Sequence, residues 1–98
     1  MKSYVDYIKK LKEKYSPLLR LLSLKSGIQL ILAIGDTGPV VYTKAKYITK
    51  SDKVIKILEE KGIVGVKKPN KHPVVYLTEK GEKIYEALKK IEEELSRR

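Results

Sequence analysis

The stretch SDKVIKILEEKGIV, residues 51–64, joins a short amphipathic helix to the start of a strand. Four apolar residues fall on one side of such a helix, namely Val54, Ile55, Ile57 and Leu58. Lys53 and Lys56 fall on the other side, in step with Lys50. The pattern ends at Gly62, a typical left-handed helix stop, and a β-branched pair follows it. We therefore predict a helix with a packed back and a basic front, attached directly to a strand.

Downstream of this helix, the sequence predicts a β-hairpin and a final helix. Two β-rich runs, residues 63–68 and 74–78, flank a tip of sequence PNKHP, which is typical of a hairpin. The final helix is predicted over residues 79–98, with Thr78 as its N-cap. Its apolar residues are spaced by four, three and four, and form a two-heptad stripe of Ile84, Leu88, Ile91 and Leu95.

The centre of the chain contains its most apolar segment. Residues 18–34 have apolar side chains on nearly all sides of a helix, which is typical of a helix buried between neighbours. Ser16 is expected to cap this helix, with Pro17 in its first turn, where a missing N–H costs nothing. Ser26-Gly27 is a point at which the helix is expected to kink or split. We therefore predict that this helix is the central element of the fold.

The segment between the central helix and the basic helix is short. GDTGP, residues 35–39, is predicted to be a breaker that ends the central helix. Residues 39–48 then favour a short helix, although three consecutive β-branched or aromatic residues are also compatible with a strand. Thr49 is the expected N-cap of the basic helix, with Asp52 three residues further on, as in a capping box.

Composition excludes several classes of protein. The 98 residues suffice for one domain, residues 1–98. Cysteine is absent and His72 is the one histidine, so disulfides and thiolate metal sites are excluded, and no metal or cofactor is expected. No phosphate-binding loop or nucleophile motif occurs, and GDTG lacks the context of an aspartic protease, which favours a non-enzyme. The charged N-terminus, and Arg20 and Lys25 within the apolar segment, predict a cytoplasmic protein without a membrane partner.

The net charge of +10 is distributed unevenly along the chain. Residues 1–15 and 16–48 each have a net charge of +3, residues 49–72 have +4, and residues 73–98 have zero. Many charges and no cysteine are also typical of heat-adapted proteins, but that composition does not explain the imbalance. The excess of lysine therefore indicates a basic face for nucleic acid or another anionic partner.

The order of predicted elements points to a particular kind of binding. A short helix, a tight turn and a second helix backed by a core form a helix-turn-helix, whose second helix enters the DNA major groove. An attached hairpin would lie beside the duplex as a wing. Residues 39–48, the basic helix and the hairpin occur in this order.

The same residues resemble a known family. LEEKGIVGVKK and VVYLTEKGEKI resemble the end of the recognition helix, the wing and the following helix of winged-helix regulators of the MarR and PadR type; the matching residues are Leu58, Glu59, Gly62, Ile63, Val64, Leu77, Thr78 and Gly81. The chain is similar also to small archaeal winged-helix chromatin proteins that end in a coiled coil. The resemblance covers about residues 24–84. It implies an α+β fold, mainly α, with a winged helix-turn-helix over residues 17–78.

The resemblance also implies a set of DNA-binding residues. They are Thr49, Lys50, Ser51, Lys53 and Lys56 on the basic helix, Lys44, Lys46 and Tyr47 on the preceding helix, and Lys67, Lys68, Asn70, Lys71 and His72 at the wing tip. Thr49 and Ser51 would contact phosphate or base edges, and Lys50 and Lys53 would donate to guanine or to phosphate. A single exposed lysine is usually only solvated, so the prediction rests on the group.

A second apolar stripe predicts a homodimer. The first helix extends over residues 1–15, from about Ser3, and its stripe has the same spacing as that of the final helix: Tyr4, Ile8, Leu11 and Tyr15. Packed together and against their symmetry mates, the two stripes would make a two-fold helical interface. The alternative is that both stripes belong to the core of one monomer.

The expected function is double-stranded DNA binding by a homodimer, as a transcriptional regulator associated with the nucleoid. Two alternatives remain open. The protein could coat DNA as a chromatin or plasmid-partition protein with weak sequence preference, since its basic contacts come from lysine. It could also be a winged-helix adaptor whose basic face binds an acidic protein partner.

Overall fold

The structure is a computed structural model that describes residues 2–97. Over these residues the chain forms six helices and three short strands: α1 (Lys2–Lys14), α2 (Ser16–Ser23), α3 (Lys25–Thr37), β1 (Val40–Val41), α4 (Tyr42–Thr49), α5 (Asp52–Glu60), β2 (Val64–Lys67), β3 (Val74–Leu77) and α6 (Glu79–Ser96). The protein is therefore a small, mostly helical α+β protein, as predicted. The predicted ends of the domain, residues 1 and 98, lie outside the described residues.

The three strands form one antiparallel sheet in the order β1-β3-β2. The predicted hairpin is present, with Val64 paired to Leu77 and Lys67 paired to Val74. The segment 39–48 contains both of the structures that its sequence allows. Its first two valines are extended and pair with β3, and α4 then begins at Tyr42. The β-branched residues therefore form a strand only where the hairpin offers an edge.

The core lies between α3, α5 and the sheet. Leu30 and Ile31 of α3 are fully buried, and so are Leu58 of α5 and Val75 of β3. The predicted packed back of the basic helix is confirmed, because α5 buries Leu58 and also Ile55, which is 1% exposed. The basic front of α5 therefore faces away from the core.

The predicted split of the apolar segment 18–34 is present, but its predicted position is wrong. α2 and α3 meet at Leu24 with a bend of 84°, and the break does not lie at Ser26-Gly27. A Cβ atom on the buried Gly27 would lie 3.3 Å from Val54, so this glycine allows α3 to approach α5 closely. Only the α3 part has the expected burial. The leucines of α2 other than Leu21 are exposed by nearly half: Leu18, Leu19 and Leu22.

Two predicted boundaries also differ. Ser16 lies inside α2, whose N-cap residue is Tyr15 and has no side-chain cap, while Pro17 occupies the first turn as expected. Residues 35–37 of the predicted breaker form the last turn of α3. The helix ends at Gly38, whose φ of 93° lies in the region that favours glycine.

Thr78 and Gly81 fix the start of α6 against the turn that follows α5. Thr78 caps the helix as predicted, since its Oγ1 accepts a hydrogen bond from the Gly81 N–H at 3.1 Å. The same hydroxyl donates to the carbonyl oxygens of Gly62 and Ile63. A Cβ atom on Gly81 would lie 2.0 Å from the Ile63 oxygen. The position therefore admits only glycine without a backbone shift.

Among residues 2–97, none of the helices taken singly combines the length and the apolar composition needed to cross a bilayer. The bent pair of α2 and α3 reaches both when its members are counted together, on composition and length alone.

Candidate nucleic-acid interface

The turn between α4 and α5 presents the start of α5 at the surface. Lys50 ends α4 in the left-handed conformation, with φ of 61°, and is the one non-glycine residue with positive φ in the described part of the chain. Ser51 is extended and caps α5, because its Oγ accepts a hydrogen bond from the Lys53 N–H at 3.0 Å. Lys53 and Lys56 are both exposed on the helix that follows.

The prediction that Thr49 caps α5 and contacts DNA is wrong. Thr49 is the last residue of α4 and is 4% exposed. Its hydroxyl lies 3.2 Å from the carbonyl oxygen of Ala45 and 2.8 Å from that of Ser51. The sequence suggested a cap because threonine precedes the helix, but the true cap lies two residues later. Thr49 therefore stabilises the turn from inside and offers no group to a partner.

Tyr42 connects the start of α4 with both the hairpin and the start of α5. Its N–H donates to the carbonyl oxygen of Pro73, at the end of the hairpin tip, at 2.8 Å. Its hydroxyl donates to Oδ1 of Asp52, the first residue of α5, at 2.9 Å. The other carboxylate oxygen of Asp52 lies 3.4 Å from Nζ of Lys46. Tyr42 therefore brings the base of the hairpin tip to the same end of the molecule as the start of α5.

These contacts set the charge of Asp52. The hydrogen bond from Tyr42 is the largest cause that lowers the pKa of Asp52; desolvation opposes it, and the charges of Lys46 and Lys56 lower the pKa further. Burial, followed by the bond to Asp52, raises the pKa of Tyr42. Asp52 is therefore ionised at neutral pH and offsets part of the charge of Lys46. Sequence analysis placed Asp52 in a capping box with Thr49 and missed its contacts with Tyr42 and Lys46.

The exposed residues around the α4–α5 turn form what we call the basic face: Lys44, Lys46, Tyr47, Lys50, Lys53 and Lys56. Tyr47 is 84% exposed, which is unusual for a tyrosine without a partner surface. Ser51 is half-buried at the edge of the basic face. Five lysines with Asp52 as the one acidic residue between positions 44 and 56 make this surface strongly positive.

The hairpin tip adds a second group of exposed polar residues. Its members are those predicted for the wing: Lys67, Lys68, Asn70, Lys71 and His72. Nζ of Lys67 lies 5.0 Å from the centroid of the Tyr76 ring, a distance at which the ring attracts the cation. The other members extend beyond the sheet. The Tyr42 contacts place this tip at the same end of the protein as the basic face.

The two terminal stripes differ in burial. Ile84 and Leu88 pack against the core, so this half of the α6 stripe belongs to the monomer. Ile91 and Leu95 are 50% and 75% exposed. All of the α1 stripe except Ile8 is exposed as well: Tyr4, Leu11 and Tyr15. Ile91 and Leu95 of α6, and Tyr4, Leu11 and Tyr15 of α1, are therefore available for another helix.

Among the described residues, no group of three or more His, Cys, Asp or Glu side chains could hold a metal ion. The described side chains also leave no buried polar atom without a hydrogen-bond partner.

Comparison with known structures supports the fold. The crystal structure of AF1382 from Archaeoglobus fulgidus superimposes with a TM-score of 0.61 and 20% sequence identity, covering 81% of this chain and 99% of that one. At this identity the likeness concerns the fold alone. No protein-family model matches the chain, and no curated protein matches its sequence.

Proposed function

We propose that the protein is a winged-helix protein that binds double-stranded DNA as a homodimer and regulates transcription on the nucleoid. The observation that carries the proposal is the basic face around the exposed start of α5. Helix α3, strand β1, helices α4 and α5 and the β2–β3 hairpin follow the order of a winged helix-turn-helix, in which α5 would be the recognition helix and the hairpin the wing.

The dimensions and charges of α5 suit the major groove. An α-helix with its side chains is about 10–12 Å across, which fits the major-groove width of about 12 Å, and the nine residues of α5 give it a length of about 14 Å. The packed back of α5 holds the helix on the core, so Lys53 and Lys56 point outward from it. The positive end of the helix dipole adds to the attraction for phosphate. Lys50 and Lys53 would reach base edges or phosphates first, because they stand at the start of the helix.

The remaining residues of the basic face would orient the protein on the duplex. Lys44 and Tyr47 lie on α4, which would cross the phosphate backbone. Lys68 and Lys71 of the hairpin tip would contact the flanking backbone. Lysine donates as a point charge and lacks the bidentate fork of arginine, so sequence discrimination by this surface is expected to be modest.

The conformation of Lys50 gives a specific test of the basic face. A lysine at φ of 61° costs about 1–2 kcal/mol relative to a relaxed backbone, and glycine avoids that cost. Lys50→Gly is therefore expected to raise the free energy of unfolding by up to about 1 kcal/mol, after the added chain entropy of glycine. The same substitution is expected to weaken DNA binding by roughly 10-fold, since it removes one charged contact from each protomer.

Urea unfolding and DNA titration of one Lys50→Gly preparation measure the two effects. Lys50→Asn is the matched variant, because asparagine tolerates the left-handed region but also lacks the charge. A gain in stability with unchanged DNA affinity would show that the strained lysine has no part in binding.

Fluorescence anisotropy of a labelled random-sequence duplex tests the proposed function directly. Binding is expected to weaken steeply with salt, with log affinity falling by about 0.9 per unit of log salt for each neutralised phosphate. Three phosphate contacts from each protomer would give a slope of about −5. Absence of binding at low salt would contradict DNA binding and favour the alternative of an adaptor for an acidic protein.

The second candidate function is a DNA-coating chromatin or plasmid-partition protein. It is favoured by the exclusive use of lysine as the cation of the basic face, because lysine contacts phosphate without strong base discrimination. A footprint that lengthens along DNA as the protein concentration rises would indicate coating. A footprint of fixed length on a selected, palindromic site would indicate an operator-binding regulator.

A further inference from the structure

The two terminal helices leave apolar stripes uncovered in the protomer. On α1, Tyr4 is 66% exposed and Tyr15 is 40% exposed. On the distal half of α6, residues 88–96, Ile91 and Leu95 are 50% and 75% exposed. Neighbouring apolar residues exposed along one side of a helix mark a surface that another helix can cover.

Charged residues flank both stripes at equivalent positions. The stripes of α1 and α6 share the spacing of four, three and four, so both can be numbered as heptads with the stripe at a and d. In α1, Lys12 and Lys14 then occupy the e and g positions beside the stripe. In α6, Glu92 and Glu94 occupy the same e and g positions. All four side chains are exposed.

These flanking charges discriminate between the possible helix pairings. Pairing α1 with α1 of a second copy would bring lysines together, and pairing α6 with α6 would bring glutamates together. Like charges at e and g destabilise a helix pair, whereas opposite charges set its partner. When Leu11 and Tyr15 of α1 lie beside Ile91 and Leu95 of α6 in a second copy, lysine faces glutamate in either helix orientation. This pairing also covers Leu11 and Tyr15 of α1 and Ile91 and Leu95 of α6 in one contact.

We propose that two copies of this chain associate reciprocally, with α1 of each copy docked on the distal half of α6 of the other. Lys12 and Lys14 of one copy face Glu92 and Glu94 of the second, and two-fold symmetry makes the contact twice. This pairing rests on the homodimer of the proposed function and names its contact surfaces.

The contacts that these glutamates make within the protomer do not compete strongly. Glu94 lies 3.3 Å from Arg97, and the Ser96 hydroxyl donates to Glu92 at 3.0 Å. Both contacts are local and exposed, so each contributes little. The docked helix replaces them with pairs at the edge of an apolar contact, where less water screens the charges.

Two charge-reversed variants test the pairing. One is Lys12→Glu with Lys14→Glu, and the other is Glu92→Lys with Glu94→Lys. Each variant alone is expected to raise the dimer dissociation constant by at least about 10-fold, because reversal turns attraction into repulsion at both contacts. An equimolar mixture is expected to recover wild-type association as a heterodimer, since lysine then faces glutamate in both contacts. Sedimentation velocity and native mass spectrometry measure the masses.

Matched controls reverse the same number of charges away from the stripes. Lys9→Glu with Lys10→Glu changes the opposite side of α1, and Glu86→Lys with Glu93→Lys changes the opposite side of α6. Both controls are expected to associate as the wild type does. Far-UV circular dichroism checks that every variant keeps its helices.

Three outcomes would overturn the reciprocal pairing. Test variants that associate as tightly as the wild type would point to another interface. Recovery in a chain that carries all four reversals, but not in the mixture, would place α1 on α6 of its own chain. A monomeric wild-type protein well above micromolar concentration would remove the dimer altogether. DNA binding is measured separately by anisotropy, so none of these outcomes by itself decides the DNA-binding proposal.

Discussion

Replacing Lys50, Lys53 and Lys56 together by alanine is expected to weaken binding to duplex DNA by about 1,000-fold at low salt, or about 10-fold for each lysine. The three side chains are exposed at the α4–α5 turn and along the first turns of α5. Each would lose a charge-assisted contact to phosphate or to a base edge, and a homodimer loses every contact twice. Competition titrations give the affinities. The slope of log affinity against log salt is expected to fall by about one for each lost phosphate contact.

A variant with the same change in net charge provides the control. Lys83, Lys89 and Lys90 are exposed on α6, far along the chain from the basic face, and their replacement by alanine is expected to change affinity only a few-fold through the long-range field. Equal losses in the two triple variants would mean that net charge alone drives binding. Unchanged affinity in the α5 variant would rule out α5 as the recognition helix.

The elements that sequence analysis predicted well are fixed by local rules. The apolar residues of α5 repeat with the period of a helix, and the buried Ile55 and Leu58 are members of that pattern. Gly62 has the positive φ, 75°, expected of a helix stop, and Thr78 caps α6 through a bond within three residues. Each of these signals lies within about one helical turn of its effect. The sequence therefore contains them without reference to the rest of the fold.

The features that sequence analysis left open or missed depend on how the elements are placed in space. Val40 pairs with Val75, so β1 exists only because the hairpin supplies an edge 35 positions further on. Leu24 breaks the apolar segment without glycine or proline, and no local signal marks the 84° bend there. The bond from Tyr42 to Asp52 joins the starts of two helices. These features became visible only when the elements were placed in space.

The basic face was predicted more completely than its interior support. Lysines on the solvent side of a periodic helix are recognisable from spacing alone, and those of α4 and α5 are exposed as expected. Thr49 was misassigned because a threonine before a helix suits a cap and a buried turn equally well. Its hydroxyl lies within hydrogen-bond distance of the carbonyl oxygens of Ala45 and Ser51, one on each side of the turn. Only the structure distinguishes this buried position from a helix cap.

Gly81→Ala is expected to destabilise the protein by about 3 kcal/mol, although alanine is the better helix former. An added Cβ atom would lie 2.0 Å from the carbonyl oxygen of Ile63, a backbone atom that cannot rotate away. Helix α6 would have to move off the turn after α5, which also disturbs the bonds of Thr78 to that turn. Overpacking of this kind typically costs about 1–3 kcal/mol or more. The contact explains physically why glycine follows Leu77-Thr78 at this spacing.

The sign of the Gly81→Ala effect separates two accounts of the position. Helix propensity alone predicts a gain of about 1 kcal/mol on replacing glycine by alanine, whereas the contact with Ile63 predicts a loss. Ala87→Gly, at an exposed position of the same helix, measures the propensity effect by itself. The midpoint temperature of thermal unfolding is expected to be at least about 12 °C lower in Gly81→Ala than in the wild type, since 1 kcal/mol corresponds to about 4–8 °C in a domain of this size. A variant as stable as the wild type would mean that α6 does not sit against the turn after α5.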